Sequence, residues 1–316
     1  MSAGLGAAWD AATLDGYAGW RFALSEDVRA ELDAVARDAE GDHERVTAER
    51  LEALHLPALR AFVAALDREL RAGCGLAHVA GADPSDLSAY QCAVVALGVL
   101  LGGTIDTYGR LYDVVDTGQS YKEKAIPVSQ TRASTGMHTD SSRLETWPEL
   151  IALACVRPAA EGGDSRVSSA ARAVATLREE APASLALLQR PFLRDIVTPG
   201  AERGPEEVRK NRFPIVCSEA PATLRYMRYW IERGHARAEE PLDGDALRAL
   251  DDLDNALARP GAVHSFRLSA GEMLFANNRT TVHDRTAYTS DPDAPRHLLR
   301  LWIRERDGAH THGAHP

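Results

Sequence analysis

The last third of the chain is the feature that most constrains the fold, because it contains short apolar segments of strand length separated by turn residues. Two more strands are predicted upstream, and the chain between these strand-rich parts has apolar residues at helical spacing. Strands on both sides of a helical insertion indicate one decorated β domain rather than two domains. The predicted strands are 111–115, 150–156, 263–268, 272–275, 280–283 and 297–304, and the predicted inserted helices are 168–180, 221–238 and 243–258.

The N-terminal third is predicted to be mostly helical. Ser25 is a typical N-cap residue, and apolar residues follow it at helical spacing. The same spacing runs from Leu59 to Leu70. A third helix is predicted from about Asp83 to Leu101, where two glycines end it.

Charge and composition disfavour several classes of function. Lysines and arginines number 36 against 46 aspartates and glutamates, which gives a formal net charge of −10, and an acidic chain is repelled by nucleic-acid phosphates and anionic lipids. The longest apolar stretch, Ala93–Leu101, is far shorter than the ~20 residues of a membrane span, and residues 1–10 have no signal-peptide pattern. The cysteines are widely spaced, which is typical of reduced core residues. We therefore expect a cytoplasmic protein that binds neither nucleic acid nor membrane. The cysteines are Cys74, Cys92, Cys155 and Cys217.

A candidate metal site begins with His138 and Asp140, which are separated by one residue. In a strand such residues point to the same face, so an imidazole and a carboxylate can reach one ion. The pair alone is weak evidence, because about one His-x-Asp pair is expected by chance in a chain of this composition. His283 supplies a second imidazole far downstream. Two histidines and one carboxylate leave three positions of an octahedral ion open, which is the pattern of non-haem Fe(II) oxygenases.

Arginines that follow His283 add a candidate anion site. The guanidinium of Arg296 is suited to bidentate carboxylate binding. If this segment is a strand, Arg296, Leu298 and Arg300 share one face. Two arginines that point into a β core are costly unless anions meet them, so the pair indicates an anionic ligand. A salt-bridge ladder at the surface is the alternative.

Together these residues resemble the taurine dioxygenase/clavaminate synthase-like group of Fe(II)/2-oxoglutarate-dependent oxygenases. The resemblance covers residues 109–304 and rests on the order and spacing of four motifs. Asp284 departs from the family pattern, in which a small residue is frequent. The motifs are His138-x-Asp140, Gly162-Gly-Asp-Ser165, Asn278-Arg-x-x-x-His283-x-Arg285 and Arg296-x-x-x-Arg300-x-Trp302.

The resemblance implies a mainly β fold with α decoration, whose core is a double-stranded β-helix, a jelly roll of the cupin type. The whole chain, 1–316, would form a single oxygenase domain. Its parts would be a mostly helical segment at 1–105, a jelly-roll core at 106–306 with a helical insertion at about 168–260, and a loose tail at 307–316.

The resemblance also implies the cofactors, which are Fe(II) with 2-oxoglutarate and O₂ as cosubstrates. His138, Asp140 and His283 would bind the iron. Arg296 would pair with the C5 carboxylate of 2-oxoglutarate. Ser165 stands beside that carboxylate, where relatives usually have a threonine, so the hydroxyl is kept.

The implied activity is oxidation, most simply hydroxylation, of an unactivated C–H bond in a small anionic substrate, with release of succinate and CO₂. An amino acid or a derivative from specialised metabolism would fit. Arg300 would hold the acidic group of the substrate, and Arg132 lies in a segment that lines the substrate pocket in the family. Because halogenating relatives replace the carboxylate ligand, the retained Asp140 favours hydroxylation or another oxidative outcome over halogenation. Desaturation or cyclisation, and a carrier-bound or nucleotide substrate, are alternatives.

Two other classes of function remain open at this stage. A hydrolase could use Zn²⁺ on the same three ligands to activate water, but it leaves Arg296 and Ser165 without a role and has no candidate general base. A jelly-roll binding protein without catalysis is the other alternative. Only the oxygenase gives a role to both Arg296 and Arg300. The oligomeric state is not predicted.

Other polar and aromatic side chains are predicted to lie outside the chemistry. Four are expected to be ordinary strand and loop residues, four to form a solvated amphipathic helix face, and three histidines to belong to the tail. These sets are Tyr108, Tyr112, Tyr121 and Gln130; Arg225, Tyr226, Arg228 and Tyr229; and His310, His312 and His315.

Overall fold

Two β-sheets form the centre of the structure. It is a computed structural model that describes residues 5–107, 109–115, 136–141, 147–195, 204–289, 291 and 293–304. The larger sheet has six strands, and all its neighbours are antiparallel except the first pair. Its spatial order is β1 (Arg21–Ala23), β2 (Leu76–Ala80), β12 (Met273–Asn277), β4 (Leu150–Arg157), β15 (His297–Ile303) and β3 (Tyr112–Val115).

The smaller sheet carries one end of the candidate site. Its three strands are antiparallel, in the order β11 (His264–Phe266), β6 (Ser165–Ser169) and β13 (Thr281–Arg285). Three two-stranded pairs lie outside both sheets. They are β5 (Glu161–Gly162) with β14 (Tyr288–Thr289), β7 (Pro191–Leu193) with β8 (Arg212–Pro214), and β9 (Val216–Glu219) with β10 (Ala222–Leu224).

Helices cover the sheets in two groups. The first group precedes the strand-rich region, and the second is inserted between β6 and β11. None of the helices in the described part of the chain combines the length and the apolar character that crossing a membrane requires. The first group is α1 (Ala11–Gly16), α2 (Glu26–Asp38), α3 (Ala48–Ala53), α4 (Pro57–Ala72) and α5 (Leu87–Leu101); the second is α6 (Ala170–Glu180), α7 (Pro182–Leu188), α8 (Pro205–Lys210), α9 (Arg228–Arg237) and α10 (Gly244–Ala258).

Local sequence explains where the helices begin. Ser25 caps α2 by accepting a hydrogen bond from the N–H of Val28, as its residue type predicts. Asp86 and Asp243 cap α5 and α10 in the same way. Helix α5 is apolar on all sides, and it is buried because helices α2 and α4 cover one side and strand β15 the other. A Cβ atom at Gly98 would lie 2.2 Å from Leu301 Cδ2, so glycine permits this close approach.

Strand β15 divides its side chains between two apolar cores. Leu299, Leu301 and Ile303 pack in the core that includes α2, α4 and α5. Leu298 and Trp302 point the other way, into the core that contains residues of both sheets. Arg300 lies two residues from each of them and therefore shares their face, on the inner side of the sheet. Leu298 and Arg300 thus share one face, as predicted.

The predicted helix at 221–238 is wrong in its first part. Residues 222–224 form β10, which pairs with β9, and the helix begins only at Arg228. Arg225 and Tyr226 lie between them and are buried rather than solvated. The cause is long-range: the Tyr226 hydroxyl donates to Asp254 Oδ1 at 2.6 Å, and its backbone N–H donates to Thr139 Oγ1 at 2.9 Å.

Two smaller predictions also need correction. Three cysteines are buried as expected, but Cys217 is exposed, and all four thiols are free. The predicted helix at 168–180 begins at Ala170, because Ser168 and Ser169 complete β6, and Ser169 then caps the helix.

We expect His235 to make the stability of the fold depend on pH. Its Nε2 accepts from the backbone N–H of Leu193 at 3.1 Å, and its Nδ1 lies 2.7 Å from the carbonyl oxygen of Glu240, so the bonded form is the neutral ring. Burial lowers the pKa of His235 in the folded protein. The unfolded chain, with a pKa of about 6.5, then binds more protons, so the free energy of unfolding falls as the pH falls through that value.

Equilibrium unfolding in urea between pH 7.5 and pH 5 measures this slope. His235→Gln should flatten it by at most about 1.4 kcal/mol per pH unit. His55→Gln, at an exposed histidine, is the matched control and should keep the wild-type slope. An unchanged slope in His235→Gln would contradict the assignment.

Candidate metal centre

Two histidines and one aspartate converge next to the smaller sheet. His283 lies in the middle of β13, and His138 pairs with it through two backbone hydrogen bonds of 2.9 Å. The predicted strand around His138 is therefore reduced to a single antiparallel backbone pair. Asp140 follows two residues later and is buried. The three side chains nevertheless reach one point, with their nearest ligand atoms all within 4.8 Å of one another.

One oxygen of the carboxylate faces both rings. Asp140 Oδ1 lies 3.8 Å from His138 Nε2 and 3.7 Å from His283 Nε2. These separations are too long for hydrogen bonds. An ion that takes ligands at about 2.0–2.2 Å can bridge atoms separated by up to about 4 Å. The ring centroids of the two histidines are 4.4 Å apart.

His138 is held in the form that a metal needs. Its Nδ1 lies 2.8 Å from the carbonyl oxygen of Gly136, and because a carbonyl only accepts, Nδ1 carries the proton. The lone pair of Nε2 then faces Asp140. Burial, with His283 as the next cause, lowers the pKa of His138 to about 4, so the ring is neutral at neutral pH. A neutral imidazole whose second nitrogen is anchored to a carbonyl is the usual metal-binding form of histidine.

The other carboxylate oxygen is held by strand β15. The indole Nε1–H of Trp302 donates to Asp140 Oδ2 at 2.7 Å, and Arg300 Nη1 lies 3.4 Å from the same oxygen. Burial alone would raise the pKa of Asp140. Arg300 and the two histidines outweigh this effect and hold the pKa well below its usual range. The carboxylate is therefore ionised and ready to bind a cation.

Asn278 fixes the backbone of Asp140. Its Oδ1 accepts from the Asp140 N–H at 2.7 Å, and its Nδ2 donates to the carbonyls of Asp140 at 2.8 Å and Pro148 at 3.0 Å. Asn278 is fully buried. The sequence motif included Asn278 without a role for it, since 138 residues separate it from Asp140.

Arg296 and Ser165 line one small pocket between the sheets, as their predicted pairing requires. Cys155, Arg267 and Leu298 contribute to the same walls. Arg296 is 4% exposed. Burial, together with the nearby Arg285, lowers the pKa of Arg296 to about 10, which leaves it charged at neutral pH. This pocket joins a cation and a hydroxyl, which suits a carboxylate.

The turn beside this pocket requires its glycines. Gly162 has a φ of +66°, and a Cβ atom there would lie 2.2 Å from the carbonyl oxygen of Ala287. Gly163 has a φ of +71°, and a Cβ atom there would lie 3.3 Å from Arg296 Nε. The close approach brings Tyr288 under Arg296, whose guanidinium carbon lies 5.0 Å from the ring centroid.

Other predicted residues have the following positions. Arg300 lies between the rings of Tyr112 and Trp302, at 4.8 Å and 5.2 Å from their centroids, and these three residues line a second small pocket. The buried Asp284 forms an ion pair with the partly exposed Arg166, its cross-strand partner on β6. Arg132, with Tyr108, Tyr121, Gln130 and the histidine-containing tail, lies outside the described residues.

Arg225 was expected on a solvated helix face, but it lies next to the candidate site. It is 4% exposed, its guanidinium carbon lies 3.9 Å from the Phe213 ring centroid, and its Nε donates to Ser141 Oγ at 2.8 Å. Ser141 directly follows Asp140. The helical spacing of the surrounding residues gave no signal that Arg225 precedes helix α9 and is buried beside the site.

Comparison with known proteins identifies the family. Residues 45–302 match the Taurine catabolism dioxygenase TauD, TfdA family. The chain belongs to this family. FR-33289 synthase of Streptomyces rubellomurinus (strain ATCC 31215) is 31% identical over 317 aligned positions, which cover 95% of this chain and 89% of the relative. Uridine-5'-phosphate dioxygenase of a Streptomyces species is 32% identical over 186 positions, which cover 55% of this chain and 63% of the relative.

Solved structures have the same fold. Asparagine oxygenase in complex with Fe(II), 3-hydroxyasparagine and succinate superimposes with a TM-score of 0.68 at 20% identity, covering 90% of this chain and 93% of that one. The non-haem iron oxygenase OrfP superimposes with a TM-score of 0.67 at 16% identity and the same coverage. The predicted jelly-roll fold is confirmed. As a TauD, TfdA family member the protein is a dioxygenase, and the predicted cofactors Fe(II), 2-oxoglutarate and O₂ are confirmed with the family.

Removal of the Asn278 side chain should destabilise the fold strongly. Asn278→Ala removes one hydrogen bond from each of three backbone groups, and each loss costs about 1–3 kcal/mol. We expect the free energy of unfolding of the metal-free protein to fall by about 3 kcal/mol or more, measured in urea.

Asn211→Ala is the matched control. Asn211 is also buried, but its amide donates one hydrogen bond, to the carbonyl of Arg194. By the same reasoning, Asn211→Ala should lower the free energy of unfolding by about 1–3 kcal/mol, roughly a third of the loss in Asn278→Ala. Equal losses in the two variants would show that Asn278 does not clamp the backbone of Asp140.

Proposed function

We propose that this single-domain dioxygenase hydroxylates an unactivated C–H bond of a small anionic substrate, such as an amino acid or a derivative of one. The observation that carries the proposal is the joint presence of three converging ligands and a separate pocket with a buried arginine. A metal site alone suits several reactions. A metal site with a second, carboxylate-binding pocket suits an oxygenase that consumes a dicarboxylate.

The proposed iron ligands are His138, Asp140 and His283. The two Nε2 atoms and Oδ1 face one point, and the carboxylate is ionised while His138 is neutral. An iron ion held by these three residues would have three of its six positions left for a bidentate cosubstrate and O₂. When bound, the iron and its cosubstrates supply the oxidation of a C–H bond, with release of succinate and CO₂.

The proposed cosubstrate residues are Arg296 and Ser165. Arg296 is buried and charged at neutral pH, and its guanidinium is suited to binding a carboxylate of 2-oxoglutarate. The Ser165 hydroxyl lines the same pocket and can donate to that carboxylate. The Tyr288 ring lies against the Arg296 guanidinium, which favours its positive charge at this position.

The proposed substrate residue is Arg300, with Arg132 as a second cation from the segment before the metal ligands. Arg300 is fixed between two aromatic rings and lines a pocket with Tyr112, so it can present its charge to an anionic group. The relatives named for asparagine and for uridine-5'-phosphate act on small molecules with carboxylate or phosphate groups. Their names support the anionic class. Hydroxylation is proposed ahead of desaturation or cyclisation.

The cosubstrate site can be tested without a known substrate. Fe(II) and 2-oxoglutarate are added to the metal-free protein without O₂, and the visible metal-to-ligand charge-transfer band is recorded. We expect a band in the wild type, none in His138→Ala, and one in Arg296→Ala that needs about 10- to 100-fold more 2-oxoglutarate, because a hydrogen bond to a charged group contributes about 1.5–3 kcal/mol.

Arg304→Ala is the control for the loss of a positive charge. Arg304 is exposed and donates to the carbonyl of Thr104, away from the pocket. Its band should match that of the wild type. If the wild type gives no band and binds Zn²⁺ tightly instead, the proposed oxygenase activity is rejected and a zinc hydrolase on the same ligands is favoured.

The substrate class can be tested by succinate release. Amino acids, their N-acyl derivatives and small phosphate esters are added to the iron-loaded enzyme, and succinate above the substrate-free background is measured. Arg300→Gln should raise the KM of the active compound at least tenfold, and Arg300→Lys should restore part of it because the charge is kept. A neutral substrate whose KM is unchanged in Arg300→Gln would overturn the anionic assignment.

A further inference from the structure

We propose that Trp302 is a positioning residue that makes Asp140 a one-oxygen ligand of the metal. The inference rests on the proposed function of the same site, because it assigns Asp140 to the iron. It concerns the oxygen that does not face the histidines. The indole N–H of Trp302 holds that oxygen, Oδ2, at 2.7 Å.

The geometry separates the two carboxylate oxygens. Oδ1 faces the imidazole nitrogens of His138 and His283 at 3.8 Å and 3.7 Å. Oδ2 faces the opposite direction, toward β15. An indole N–H can only donate, and a donor bonded to an ionised carboxylate forms one of the stronger hydrogen bonds in proteins. Rotation that brought Oδ2 to the metal would break this bond.

The indole ring itself cannot follow such a rotation. Trp302 is 6% exposed and packs among apolar residues from both sheets. Its backbone lies in β15, which is paired with β4, and its carbonyl accepts from the N–H of Ile105 at 2.9 Å. The donor is thus fixed by the sheet on one side and by the core on the other.

Arg300 is the weaker partner of the same oxygen. Its Nη1 lies 3.4 Å from Oδ2, compared with 2.7 Å for the indole nitrogen. Trp302 therefore makes the shorter hydrogen bond to Oδ2, and Arg300 adds a longer, charged contact. The Arg300 guanidinium also lines the pocket that contains Tyr112.

The number of open positions on the metal depends on this arrangement. Asp140 bound through one oxygen, with two histidines, leaves three of six positions open. Asp140 bound through both oxygens would leave two, which the bidentate cosubstrate would fill. Trp302 thus keeps the third position available for O₂.

The experiment compares two buried tryptophans. Trp302→Phe removes the indole N–H and keeps an aromatic ring. Trp9→Phe is the matched control, because Trp9 belongs to the same core and its Nε1–H donates to the carbonyl of Cys74 at 2.8 Å. Fe(II) binding, 2-oxoglutarate binding and the charge-transfer band are measured without O₂, and urea unfolding of the metal-free proteins is measured alongside.

We expect Trp302→Phe to weaken Fe(II) binding about 10-fold or more, the usual effect of removing a residue that orients a metal ligand. Its charge-transfer band should shift, and more 2-oxoglutarate should be needed to form it. Trp9→Phe should keep the wild-type affinities and band while its urea midpoint falls by a comparable amount. Wild-type behaviour of Trp302→Phe, or equal metal defects in both variants, would overturn the role of Trp302.

A measurement on the wild type covers the case in which Trp302→Phe does not fold. The protein has five tryptophans, whose indole N–H signals are recorded by ¹H–¹⁵N NMR with Zn(II) bound and again with Co(II) bound. One signal should lie far downfield with Zn(II) and shift with Co(II). Absence of any such indole signal would overturn the inference. Failure of the wild type to bind Fe(II) at all would instead reject the proposed function itself.

Discussion

The ionised carboxylate of Asp140 is the constraint on which the rest of the site depends. A buried charge is stable only if neighbouring groups compensate it, and here compensation comes from three parts of the chain. Asn278 fixes the backbone, Trp302 and Arg300 hold one oxygen, and the two histidines face the other. The metal completes the compensation when it binds. Because partners come from both sheets, the site forms only when the jelly roll has closed.

Three arginines place positive charge inside the jelly roll. Arg296, Arg300 and Arg285 point toward the interior, where an uncompensated guanidinium would be costly. Aromatic rings lie against these guanidinium groups: Tyr288 contacts Arg296 and Arg285, and Tyr112 contacts Arg300. The concentration of positive charge favours ligands with carboxylate or phosphate groups over neutral ones. Interior arginines therefore couple the stability of the protein to its ligands.

Much of the fold could be predicted from spacing alone, and the failures have physical causes. Helices α2, α4 and α10 follow from apolar periodicity, and α5 follows from the residues at its two ends, since these signals are local. The helix predicted at 221–238 failed because Arg225 and Tyr226 are buried by partners far away in the chain. The same reason explains why Asn278 and Trp302 had no predicted role. Their partner, Asp140, is 138 and 162 residues away, and only the closed fold brings them together.

Successive side chains of strand β15 alternate between its two faces, so their positions depend on the exact length of the strand. Its even-numbered residues from Leu298 to Trp302 face the site, while its odd-numbered leucines face the helices. Insertion or deletion of one residue in this strand would exchange the two sets, placing Arg300 against helix α5 and a leucine against the metal ligands. Point substitutions on the helical side should be tolerated as long as volume is kept. The strand can therefore vary in the shape of its helix-facing side chains but not in its length.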